Sequence, residues 1–126
     1  MIILDASVLI GHLDGRDQHH ERARELLTAN AAAPLGASSI SLAETLVGPA
    51  RLGKVEVARG ALDRLAIEEV SLGADASVRL ALIRAETGLK LPDCCVLLAA
   101  KDRNGAVASF DLDLVAHARD RGLAVA

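Results

Sequence analysis

The chain has 126 residues, enough to bury one core without disulfide or metal staples. Hydrophobic residues make up 52% of it and aromatics only 1%, so the core must come from Ala, Val, Leu and Ile; base-stacking strand binders and RNA-recognition modules, which need aromatic platforms, are disfavoured. The formal charge of −3 argues against a protein that simply coats nucleic acid, although bound divalent cations would move that sum towards neutrality.

Ile2-Ile3-Leu4 is a fully apolar run ending at Asp5, as expected of a buried parallel strand. A polar patch follows from Gly11 to Asp17. His19 to Asn30 reads as a helix with Ala23, Leu26 and Leu27 on one face and Asn30 as its C-cap. Ala33 to Ala37 reads as a second strand, weakened by Pro34 and Gly36. Ser38 to Val47 reads as a helix stopped by Gly48-Pro49. Lys54 to Leu65 has Ala58, Ala61, Leu62 and Leu65 at the spacing of one buried helical face, and Ile67 to Leu72 reads as a strand. Ala76 to Thr87 is a helix with Gly88 as its cap, and Pro92 to Arg103 is another, ended by Asn104-Gly105. Ala106 to Phe110 is a strand, Leu112 to Asp120 a helix, and Gly122 to Ala126 a closing strand.

This alternation predicts an α/β chain, with helices packed on a central parallel β-sheet and right-handed crossovers, in one domain over residues 1–126. The opening Met1-Ile2-Ile3-Leu4-Asp5 lacks a basic leader, and no charge-free segment reaches membrane-spanning length. The two cysteines are neighbours and cannot staple the chain. The cytoplasm is therefore the expected compartment, with no membrane partner.

Ligands of open parallel sheets bind at the carboxyl ends of the strands. Asp5 follows the first predicted strand there, Asp111 follows Ala106 to Phe110, and Asp93 begins a helix that can stand on the same edge. Glu44 lies within two turns of the helix start near Ser38. Each also has a plain structural role: Asp5 in a turn, Asp93 at a helix start, and Glu44 in a capping box with Ser41 unless Ser38 is the cap. Asp111 and Asp113 could both be solvated helix-start residues. Those roles give no reason for acids to recur at strand ends. Clustered carboxylates repel one another and call for a hard divalent cation, which acts on phosphate oxygens and lowers the pKa of an attacking water.

Four segments carry a family resemblance: Ile2-Ile3-Leu4-Asp5-Ala6-Ser7, Ser41-Leu42-Ala43-Glu44-Thr45-Leu46, Leu91-Pro92-Asp93 with the apolar run to Ala100, and Ala108-Ser109-Phe110-Asp111-Leu112-Asp113. In this order the chain resembles a PIN-domain ribonuclease, most closely the VapC toxins of type II toxin–antitoxin pairs. The resemblance implies a three-layer α/β/α PIN-like domain that hydrolyses RNA phosphodiester bonds with Mg²⁺, or Mn²⁺ in its place, through a metal-activated water, leaving a 5′-phosphate. It implies Asp5, Glu44, Asp93 and Asp111 as catalytic metal ligands, directly or through water, with Ser7 and Ser109 orienting a ligand or water from behind. Asp111, closest to the strand end, is preferred over Asp113. A VapB-type antitoxin, a toxin homodimer and possible larger toxin–antitoxin assemblies are the implied protein partners.

Competing readings are a catalytically silent PIN-like binding module and another metal-dependent phosphoesterase. Retention of all four acids opposes the first. Ser7, where an aspartate-nucleophile phosphatase needs a second acid, opposes that form of the other. A receiver-like phosphoacceptor lacks its paired acids after the first strand. Cys94-Cys95 has no CxxC spacing or nearby partners for zinc and reads as core packing. His19-His20-Glu21 is not HExxH, since Arg24 stands where the second His is needed. Arg16, Arg22 and Arg24 form a basic group, solvated or touching substrate phosphate or an antitoxin; Arg51 and Lys54 are similar candidates.

Overall fold

Short runs rich in small and β-branched residues form the sheet, and the computed structural model describes residues 1–126. The strands are β1 (Ile2–Leu4), β2 (Leu35–Ser38), β3 (Glu68–Val70) and β4 (Ala106–Ala108). All pair in parallel in the order β3-β2-β1-β4. The helices are α1 (Ala6–Leu13), α2 (His20–Ala29), α3 (Ser39–Arg51), α4 (Val55–Arg64), α5 (Ala76–Thr87), α6 (Leu91–Asp102) and α7 (Leu112–Asp120).

The two-residue period of a strand divides the core. Ile2 and Leu4 point into an apolar layer with Val8, Leu9, Ala23 and Leu62, drawn from α1, α2 and α4. Ile3 and Val107 point the other way, into Ile83, Leu97, Leu98 and Leu114 of α5, α6 and α7. The result is the expected three-layer α/β/α arrangement around a parallel sheet. No helix is long and apolar enough to cross a membrane.

Several boundaries differ from the sequence reading. α1 begins directly after Asp5, where no helix is expected, because Asp5 caps it by accepting from the Val8 N–H at 3.2 Å. Gly48-Pro49 does not stop α3: Pro49 lies in its last turn, and the chain leaves through Gly53 at a left-handed φ of 69°. The proline forgoes its own N–H bond, and its carbonyl accepts from the Leu52 and Lys54 N–H groups that close the helix end. β4 ends at Ala108, short of Phe110. The closing strand is reduced to one bridge, Val107 to Val125. Asn30 does cap α2, its side-chain amide donating to the Leu26 carbonyl at 2.8 Å.

Gly105, between α6 and β4, is required by close approach. A Cβ there would stand 2.8 Å from the Met1 carbonyl oxygen, which accepts the Ala106 N–H in the β1–β4 ladder. Gly105→Ala is therefore expected to destabilise the chain by about 1–3 kcal/mol in urea denaturation. At Gly36 the 2.8 Å neighbour is only the flexible Met1 Sδ, so Gly36→Ala should cost less.

Candidate active site

The connection out of β1 runs towards β2, on one side, whereas its other neighbour β4 is reached only through α5 and α6 on the opposite face. The strand order therefore reverses between β1 and β4, and a crevice opens there beyond their carboxyl ends. Asp5 follows β1 at this point and is 5% exposed. Its backbone N–H donates to the Ala108 carbonyl, joining it to the end of β4.

Two hydroxyls lock the Asp5 carboxylate. Ser7 Oγ donates to Oδ1 at 2.6 Å and accepts the Phe110 N–H at 3.0 Å. Ser109 Oγ donates to Oδ2 and accepts the Asp111 N–H at 2.9 Å. Each serine thus ties the acid at one strand end to the loop leaving the other. Burial pushes the Asp5 carboxyl above its usual range, while the bonds from Ser109, Ser7 and Val8 pull it back down.

Asp93 sits in the first turn of α6. Because α6 feeds β4 through the tight Asn104-Gly105 turn, its start lies at the opposite edge, above the strand ends. Asp93 makes no side-chain cap; the cap position is Lys90 in extended conformation. Its carboxyl is pushed up to about 6, first by burial, then by the charges of Asp111, Asp5 and Glu44, with Lys90 opposing. Glu44, in the second turn of α3, is exposed; it is raised by burial and by Asp5, and lowered by Lys90. Ser38, not Ser41, caps α3, accepting the Ser41 N–H at 3.0 Å, so Glu44 has no capping-box role.

Asp111 caps α7, its Oδ1 accepting from the Asp113 and Leu114 N–H groups at 2.9 and 3.3 Å. Asp113 is exposed and faces His117 along the helix at 3.7 Å. The four acids thus share one edge and act on one another electrostatically, yet no three His, Cys, Asp or Glu side chains stand close enough to form a closed metal-ligand group. The donor chemistry still suits a hard cation, being all carboxylate oxygen, with burial and then the neighbouring charges raising Asp93 to about 6.

The cysteines have no part in this edge chemistry. Cys94 and Cys95 are buried, and burial pushes both thiols up, helped at Cys94 by the Asp93 charge and at Cys95 by Cys94 and Glu44. Lys90 escaped the sequence reading, although its place three residues before the third acid was a usable signal. So did the surroundings of Phe110, whose ring lies 4.8 Å from His19 and 4.6 Å from the Arg22 guanidinium carbon. A cavity of about 310 Å³ lies elsewhere, lined by Ile83, Leu97, Lys101, Arg121 and Leu123.

Comparison with known proteins agrees with this architecture. No curated protein sequence matches the chain. A toxin–antitoxin complex from Klebsiella pneumoniae contains a chain of similar structure, with a TM-score of 0.71 and 25% identity over 86% of this chain and 85% of that one. VapC20 of Mycobacterium tuberculosis, described as a sarcin–ricin loop cleaving toxin, shares the fold with a TM-score of 0.74 and 21% identity over 93% and 95% of the two chains. FitAcB from Neisseria gonorrhoeae does so with a TM-score of 0.72 and 24% identity over 99% and 96%. The family profile described as PIN domain matches residues 2–120, and the chain belongs to the PIN domain family.

Proposed function

We propose that this chain, acting as one PIN domain over residues 1–126, is a metal-dependent endoribonuclease and the toxin of a type II toxin–antitoxin pair. The observation that carries the reading is the charge at the β1–β4 crevice. Asp5, locked by Ser7 and Ser109, faces a set of acids, and burial together with their charges lifts Asp93 to about 6. A fold built only for stability gains nothing from such repulsion.

Asp5, Glu44, Asp93 and Asp111 would hold Mg²⁺, or Mn²⁺ in its place, and Ser7 and Ser109 would keep Asp5 from turning away. When bound, the ion supplies polarisation of a phosphoryl oxygen and a more acidic attacking water. The chain's own residues provide a fixed carboxylate at the strand end, and Lys90 as a cation whose charge acts on Asp93 and Glu44. The solved relatives that are toxin–antitoxin assemblies support a VapB-type antitoxin as partner, and a toxin homodimer belongs to the same proposal. The compartment consistent with this role is the cytoplasm.

The test is incubation of antitoxin-free protein with total cellular RNA in Mg²⁺, Mn²⁺ or EDTA. Discrete products are expected with either metal and none with EDTA. Products of the same pattern in EDTA would remove the metal mechanism. Intact RNA under every condition would leave a binding module.

A further inference from the structure

Three arginines flank the start of α2, and the structure treats them differently. Arg24 is taken up by Glu21 at 3.3 Å. Arg16 lies exposed in the turn before α2. Arg22 has no carboxylate partner within 4.0 Å. Instead its guanidinium carbon stands over the Phe110 ring at 4.6 Å. Phe110 is the only aromatic of the Phe, Tyr and Trp class in the chain, and it sits between Ser109 and Asp111. Its own N–H is fixed by Ser7.

A guanidinium held by an aromatic face spends none of its five N–H donors on a protein acceptor, and its charge is not cancelled. The ring positions the cation; it is not an open platform for a base, since Arg22 covers it and His19 lies 4.8 Å away. Arg22 stands over the residue next to Asp111 and forms no ion pair with any of the four acids, so it flanks them without being tied to one. An RNA strand entering an acidic crevice needs a cation beside it for the next phosphate along.

Resting on the ribonuclease reading above, we infer that Arg22 is an RNA-binding residue that grips a backbone phosphate flanking the scissile one, and that Phe110 is the residue that positions it. Phosphate is favoured over a carboxylate of a protein partner because the guanidinium is anchored on the loop that carries Ser109 and Asp111, beside the proposed catalytic acids.

The experiment measures binding of a short fluorescein-labelled single-stranded RNA by anisotropy, in EDTA across a salt series, with the full chain and its variants. Arg22→Gln is expected to weaken binding about tenfold and to lower the slope of log affinity against log salt by about one. Arg22→Lys should restore the slope and only part of the affinity. Phe110→Leu should weaken binding less, and should have no further effect in the Arg22→Gln background. In Mg²⁺, Arg22→Gln should raise KM and leave kcat within about twofold.

Wild-type affinity and salt slope in Arg22→Gln would overturn the assignment. So would a Phe110→Leu loss that persists without Arg22, because the ring would then touch RNA itself. Weakened antitoxin capture with unchanged RNA affinity would give Arg22 to the protein partner instead. Melting curves guard against misfolding, to which exposed Arg22 is the less sensitive position. If the chain binds RNA but never cuts it, the catalytic reading fails while these binding measurements still decide the role of Arg22.

Discussion

Asp93→Asn is expected to lower RNA cleavage by on the order of a hundred- to a thousandfold while making the metal-free protein more stable. The activity loss follows from the proposed role of Asp93 as a metal ligand, since an amide is a neutral and weaker oxygen donor. The stability gain follows from what the carboxylate endures without a cation. In the folded chain Asp93 keeps its proton up to about pH 6, against 3.8 ordinarily, through burial and the charges of Asp111, Asp5 and Glu44. The stabilisation tied to the neutral form is therefore complete below 3.8 and is lost as pH rises through 6.

At pH 7 the wild-type group is charged and repelled, and Asn removes that repulsion. Because Asp93 is partly solvated, the recovered stability is about 1–2 kcal/mol after discounting for screening. Thermal melts in EDTA at pH 7 should place the variant a few degrees above wild type, and the gap should close as pH falls below 4. Added Mg²⁺ or Mn²⁺ should raise the wild-type midpoint and leave the variant nearly unmoved. A variant that cleaves at the wild-type rate, or that melts below wild type in EDTA, contradicts the site.

Leu98→Ala should cause the largest loss of stability, about 3–4 kcal/mol. From Cys94 to Ala100, α6 is buried on every side, and Leu98 is 1% exposed in the core with Ile83, Val107 and Leu114. A helix enclosed by the sheet and its neighbours cannot collapse onto the gap left by truncation, so the cavity term adds to the lost transfer energy. Urea denaturation should show the shift in midpoint with an unchanged slope. Leu112→Ala is the control: Leu112 is 80% exposed and its truncation should cost under about 0.5 kcal/mol. Equal losses at the two positions would mean that α6 is not the central helix it is taken to be. Since α6 also carries Asp93, the Leu98 variant should lose activity at temperatures well below its melting midpoint.

The elements that were clear in the sequence are those whose signal is local. The apolar run Ile2–Leu4, the 3.6-residue spacing in α4 and the Gly88 cap of α5 all survive in the structure, the last with a φ of 70°. α1 was missed because its residues are apolar nearly all round, and what starts it is the capping bond from Asp5. The Gly48-Pro49 stop failed because a proline forgoes only its own N–H bond, and the helix runs on to Arg51 before it ends. Gly122 to Ala126 has a strand's composition, yet only Val125 meets β4.

For the site, the sequence by itself determined which acids follow apolar strands, and hence that Asp5 and Asp111 could stand at one sheet edge. It determined that the adjacent cysteines lacked partners for metal chemistry. Only the tertiary structure decided that Ser109 reaches Asp5 across 104 positions, that Lys90 is the cation beside Asp93 and Glu44, and that Arg22 is held by Phe110. The division has one physical cause. Propensity and capping act between residues a few positions apart, whereas hydrogen bonds and charge coupling across a crevice depend on strand order, and strand order is set by how the helices divide between the two faces of the sheet.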